Sequence, residues 1–303
     1  MDTWQTTLLL ARFVFYMGTI GSIGGLLILI IAPDLKKFQQ FRVIHSSLRK
    51  YILLSAMFGF LGSALGFFTL VGSFSATGIM GMFDLSMIEL MLDSNSGKEV
   101  QYRCIVFLLI GIFVTLLFRN HNASLKSYRL LVWTLLSIAL SSTFFISGHL
   151  FEAKLLQKIT LMLHVLLVSF WIGTLYPLIV ICKMEDLQII KSIMNRYSQI
   201  AFLFVPLLIF FGGVLAYYLI SSKEAILFSM YGRGILLKAF FVILLLLVAA
   251  RHKWFLVPKL NDLNTLNKLR VSIGVECAIG FTVLAITAVL TSVIGIDSTG
   301  GSH

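Results

Sequence analysis

Charge is scarce in this sequence. Of 303 residues only 24 are Lys or Arg and 13 Asp or Glu, 12% together, whereas 58% are hydrophobic. One membrane-crossing helix takes about 20 apolar residues, so roughly 176 such side chains correspond to about eight crossings and leave little for an aqueous core. Cysteine is nearly absent too. Cys104, Cys182 and Cys277 are odd in number and far apart, which excludes a disulfide framework. No long polar stretch exists: the longest connection, roughly residues 74–103, is too short for an extramembrane domain. No Gly-rich ATP-binding loop is present either, which leaves gradients or a partner as the energy source. These absences exclude an ordinary soluble enzyme, a nucleic-acid binder and a secreted disulfide scaffold.

What is present is a series of apolar runs. They cover about residues 7–32, 51–73, 104–118, 130–150, 157–182, 199–220, 234–256 and 271–295, and the third extends back toward Glu99 or Val100. The expected fold is therefore all-α, a bundle of eight transmembrane helices forming one domain over residues 1–296. The tail 297–303 reads in part as a cloning remnant. The first run is a span rather than a cleavable signal, because Met-Asp-Thr-Trp carries no basic charge and the run exceeds an ordinary signal core.

The net charge of +11 fixes orientation. Connections after spans one, three, five and seven carry sixteen basic residues, and the other three carry six. Cytoplasmic loops concentrate Lys and Arg, so the first set lies in the cytoplasm and both termini lie outside. In the connection after span two, Met80, Met82, Met87 and Met91 belong to a short amphipathic helix expected at the outer interface, with Met87 and Met91 one turn apart. Glycines at 18, 21, 24, 25, 62 and 66 mark close helix packing, and Pro177 and Pro206 bend spans five and six and free backbone carbonyls.

Polar groups at membrane depth are costly and mark function. Arg12, Lys238 and Glu276 are the charged residues well inside a span. Arg12 and Lys238 lie near outer ends and can snorkel. The short carboxylate of Glu276 cannot, and Arg251 and His252 are its nearest partners along the chain. Four histidines (His45, His121, His252 and His303) fall at span ends, loops or the tail, where solvation is expected. His149 and His164 stand apart: they lie on spans four and five, joined by a short connection, at similar depth from the outer side. Paired imidazoles on antiparallel neighbours suit a metal or a haem, and thioether sulfur from the outer methionines points to Cu(I).

Several motifs resemble the copper resistance protein D (CopD) family. Ser-Gly-His149 is followed by Leu163-His164, then Trp171-Ile-Gly173; further on come Arg196-Tyr-Ser198, Tyr231-Gly232-Arg233 leading to Lys238, Val257-Pro258, and Leu269-Arg270 leading to Glu276. The resemblance is strongest over residues 130–295. It implies a bacterial inner-membrane protein that takes up copper from the periplasm. His149 and His164 become copper residues, Trp171 and Glu276 motif members, and a separate CopC-type periplasmic carrier a partner. It implies no enzyme. Two other readings use the same residues: a membrane redox protein with His149 and His164 as axial ligands of haem b, and a copper-delivery adaptor that does not transport.

Overall fold

Each long apolar run forms a helix, and several of these helices begin well before the apolar core does. The computed structural model describes residues 3–31, 41–75, 77–119, 126–145, 154–184, 186–219 and 229–294. Nine α-helices are found among them: α1 (Thr3–Ile31), α2 (Phe41–Ser75), α3 (Leu85–Asp93), α4 (Asn95–Arg119), α5 (Lys126–Ser142), α6 (Leu155–Ile181), α7 (Leu187–Leu219), α8 (Met230–Arg251) and α9 (Leu263–Val289). All except α3 are long and apolar enough to cross a membrane. No strand occurs among the described residues, so the all-α, eight-span expectation holds.

Helix starts are set by caps rather than by hydropathy. Asp186 accepts hydrogen bonds from the Gln188 and Ile189 amides, so α7 begins twelve residues before the expected span at 199. Asp262 does the same for α9 through the Thr265 amide, eight residues ahead of 271. Ser94 caps α4 through the Gly97 amide, which brings Glu99 and Arg103 into the helix. Hydropathy marks where lipid begins, whereas a side-chain oxygen marks where the helix does.

The chain divides into two compact units, one of residues 1–19, 53–166 and 287–303, the other of residues 20–52 and 167–286. In the first unit α1 and α2 touch backbone to backbone. A methyl group at Gly62 would meet the Phe15 amide and the Ala11 carbonyl, and one at Gly18 would meet Gly59 and Ser55. Phe15 then stacks edge-on against Phe107 of α4, at 6.1 Å between ring centres. Along α4, Ile105, Leu108, Ile112 and Leu116 are each more than half exposed, the outward apolar stripe that lipid requires and water would penalise.

In the second unit α1 meets α6 at a pair of glycines. A Cβ on Gly24 would lie 2.6 Å from the Gly173 Cα, and one on Gly173 would lie 3.0 Å from the Gly24 Cα. Four residues after Gly173 stands Pro177, which has no N–H and so leaves the Gly173 carbonyl without its helical donor. The Tyr51 hydroxyl of α2 donates to that carbonyl at 3.0 Å. The proline thus ties α6 to α2 instead of merely bending it.

Alanine at Gly24 should therefore force the α1 and α6 backbones apart and cost about 1–3 kcal/mol. Gly111→Ala, where an added methyl meets nothing within 4 Å, should stay within about 0.5 kcal/mol of wild type. Thermal unfolding in detergent compares the two.

Candidate functional site

A carboxylate buried among apolar helices needs a donor for each oxygen, and Glu276 has them. It lies on α9 in the second unit and is 2% exposed. Trp171 Nε1 donates to Oε1 at 2.7 Å, and His252 Nδ1 lies 3.0 Å from Oε2. Trp171 comes from α6 and is itself buried, 4% exposed. His252 ends α8, and its Nε2 is 2.7 Å from the Ser272 hydroxyl, one turn before Glu276 on α9. Tyr197 of α7, stacked on Phe170, and Cys277 of α9 also feel the carboxylate's charge.

The placement of His252 has a local cause. Pro258 cannot continue α8, and the chain leaves the helix through a π-turn, His252–Leu256, in which the Val257 amide bonds to the His252 carbonyl at 3.0 Å. The imidazole is only 12% exposed and faces α9. This corrects the expectation of a solvated His252: the sequence puts it at a span end, but the turn carries it inward. Of the two partners expected for Glu276, His252 is the one used, while Arg251 is exposed.

The first unit holds a second polar cluster. Glu99 and Arg103 form an ion pair one turn apart on α4, and the guanidinium lies 4.0 Å over the Phe15 ring and 5.9 Å from that of Phe144. Arg103 also reaches the Thr143 carbonyl at 3.4 Å. The third run is expected to extend back toward Glu99 or Val100, but neither Glu99 nor Arg103 is singled out as a charge inside a span, because its continuously apolar part starts at Cys104. Their i,i+4 spacing ahead of that run is the signal that identifies them. Arg12 donates through Nη1 to the Thr291 carbonyl in the π-turn Leu290–Ile294 that follows α9, and the Tyr16 hydroxyl lies 3.0 Å from Thr291 Oγ1. Lys238 is half-buried on α8 and bonds to no described residue.

The remaining candidates are placed as follows. His164 lies in the third turn of α6, half-buried; His149 lies outside the described residues, as does the tail 297–303. Met80 is 79% exposed in the 3-10 turn Gly78–Phe83. Met82 lies beside Gly72, and Met87 and Met91 share a face of α3, all three half-buried. Among the described residues no three His, Cys, Asp or Glu side chains gather as a metal centre. The three cysteines are free.

The amphipathic helix α3 is held by its cap. Asp84 accepts from the Ser86 hydroxyl at 2.6 Å and from the Ser86 and Met87 amides at 3.1 and 3.2 Å. The Ser86 hydroxyl, then the Met87 amide, hold its carboxyl below the usual carboxylate range.

Comparison with known proteins places this architecture. Residues 1–152 match the family described as copper resistance protein D-like, N-terminal domain, and residues 191–290 match copper resistance protein D. The first half, expected to be the looser part of the likeness, thus has a matching domain of its own. His252, Ser272 and Glu276 fall within the second match, whereas His164 and Trp171 fall between the two. The copper transport protein CutJ of Bacillus subtilis (strain 168) is 24% identical over 215 residues, which is 67% of this chain and 38% of that protein. The chain therefore spans well under half the length of that relative. No solved structure matches.

Trp171→Phe keeps the ring and removes the donor, leaving Glu276 Oε1 without it. The protein should lose about 1–3 kcal/mol of stability, read as earlier thermal unfolding in detergent. For α3 the sign follows from the lowered Asp84 carboxyl: its cap contributes fully above the unfolded-state carboxylate range and is lost as pH falls through the lower folded value. The protection of the α3 amides against exchange, taken relative to their intrinsic rates, should fall only on that acid side, and in Asp84→Ala it should be low at neutral pH as well.

Proposed function

The chain belongs to the copper resistance protein D family, and on that premise we propose that it carries copper, as Cu(I), across the bacterial inner membrane from periplasm to cytoplasm. Residues 1–296 act in this reading as one transmembrane domain with both termini in the periplasm, the orientation that its distribution of Lys and Arg favours. The work is transport rather than catalysis. CutJ is described as a copper transport protein, which supports the reading.

The observation that carries the proposal is the buried Glu276, held by Trp171 and His252 in a helix otherwise suited to lipid. A carboxylate kept at that cost gives a passing cation a compensating charge without itself being a ligand. Ligation falls to His149 and His164 on spans four and five, where neutral imidazoles hold a soft cation and add no charge to the bilayer. Met80, exposed in its turn, and Met82, Met87 and Met91 collect the ion at the outer surface from a separate CopC-type carrier. Arg12 and Lys238 anchor helix ends.

Metal analysis and an optical spectrum of the purified protein provide the test. The expected result is a colourless protein that retains about one copper, loses it in His149→Ala and in His164→Ala, and lets copper accumulate in liposomes. Imidazoles must be deprotonated to bind, so copper affinity should fall as pH drops through about 6.5. A red protein whose Soret band shifts on reduction would establish a haem redox protein instead. Stoichiometric binding without liposome accumulation would establish a delivery adaptor.

A further inference from the structure

Glu276, His252 and Ser272 form a hydrogen-bonded chain whose geometry accepts more than one count of protons. Glu276 Oε2 meets His252 Nδ1, and His252 Nε2 meets the Ser272 hydroxyl, so both ring nitrogens are engaged. When the imidazole is charged, Nδ1–H donates to the carboxylate and Nε2–H donates to Ser272 Oγ. When it is neutral with its proton on Nδ1, the serine hydroxyl rotates and donates to the bare Nε2. Both ring nitrogens are paired in either state. The first state carries no net charge, and the second carries one negative charge.

The chain has one closed end and one open end. Trp171 Nε1 binds the other carboxylate oxygen, and an indole N–H donates but cannot accept or pass a proton. The Glu276 side chain is 3% exposed, whereas that of His252 is 12% exposed at the end of α8, beside the exposed Arg251. Protons therefore come and go at the imidazole. The groups that face the carboxylate from the other packed elements are Trp171 of α6, Tyr197 of α7 and Cys277 of α9, and none supplies a positive charge. Among the described residues no Lys or Arg pairs with Glu276, and the group within hydrogen-bond reach that can carry a positive charge is His252.

Resting on the copper-transport reading, we infer that Glu276, His252 and Ser272 are a proton-loading site that releases one proton for each monovalent cation that passes. The balance is complete without another reactant. Before the cation arrives, carboxylate and imidazolium cancel. As it passes, the His252 Nε2–H bond breaks and its proton leaves to water, Ser272 turns its hydroxyl to Nε2, and the remaining negative charge balances the cation. When the cation departs, water returns a proton to Nε2. The countercharge is thus set by a serine rotor, and because the proton leaves and returns at the same imidazole, no net proton crosses the membrane.

Nitrogen NMR of full-length protein labelled in histidine reads the site directly, with the His252 signals identified by their loss in His252→Gln. The expected result is a change of both His252 nitrogens between about pH 5 and 9. Ser272→Ala should move the midpoint at least about one pH unit toward acid, tenfold in proton affinity, because the charged ring loses the stronger hydrogen bond; Ser272→Thr should restore it. His252 nitrogens that do not titrate, or a Ser272→Ala midpoint that coincides with wild type, would overturn the inference. In liposomes containing a Cu(I) chelating dye, copper entry should depend on pH with the same midpoint as the His252 nitrogens, and in Ser272→Ala that midpoint should move with them, about one pH unit toward acid. Copper entry that does not follow the His252 midpoint in wild type and in Ser272→Ala would also overturn it. If no copper enters wild-type liposomes while His252 titrates as expected, the transport reading fails and the proton site stands.

Discussion

Hydrocarbon offers no water, so every polar group inside this protein must find its partner within the protein, and that demand organises the rest. Glu276 makes the largest demand. An unpaired buried carboxylate would cost several kcal/mol, and its two oxygens are met by donors from two different helices. α6 supplies Trp171, and α8 supplies His252 only because Pro258 ends it in a π-turn. Three helices of the second unit are thereby joined at one side chain, with Ser272 fixing the far side of the imidazole. The glycine pair of α1 and α6 belongs to the same logic, because close backbones gain the van der Waals contact that lipid cannot supply as a hydrophobic force.

The first unit meets the demand differently. Arg103 is neutralised by Glu99 on its own helix and covered by Phe15, so its charge is settled without an acidic partner from another helix. Arg12 donates to the Thr291 carbonyl in the π-turn just beyond α9. Pro177 shows the demand operating on the backbone itself: losing one amide exposes the Gly173 carbonyl, and Tyr51 answers it from α2. Each of these is a polar group created or stranded by the helix and repaired by a neighbour.

This also explains what could be read from the sequence. Eight helices are legible because lipid-facing stripes such as Ile105, Leu108, Ile112 and Leu116 leave runs no soluble fold would show. Their starts are not legible from hydropathy, since Asp186 and Asp262 cap helices in polar sequence outside the runs. Glu276 is legible as a carboxylate in an apolar run. His252 is misread as solvated because its direction depends on a π-turn, which no periodicity reveals. Glu99 and Arg103 are not singled out because the continuously apolar part of their run starts at Cys104, and only the ion pair shows how both charges are accommodated on α4. The family motifs bring Trp171 and Glu276 to notice separately; that they touch is a fact of packing.

The two buried carboxylates differ in what their partners permit. Glu99 faces a guanidinium, which keeps its proton at every pH a protein survives, so its partner's charge is fixed and the pair serves structure. Glu276 faces an imidazole, whose charge is conditional in the physiological range. Had Lys or Arg stood at the end of α8, the carboxylate would be cancelled permanently and could offer nothing to a cation; had the position been apolar, the carboxylate would be forced to take up a proton. Histidine leaves the negative charge available on demand, and the serine beside it keeps both settings satisfied. That choice of partner, more than the burial of the acid, is what separates a working charge from a structural one.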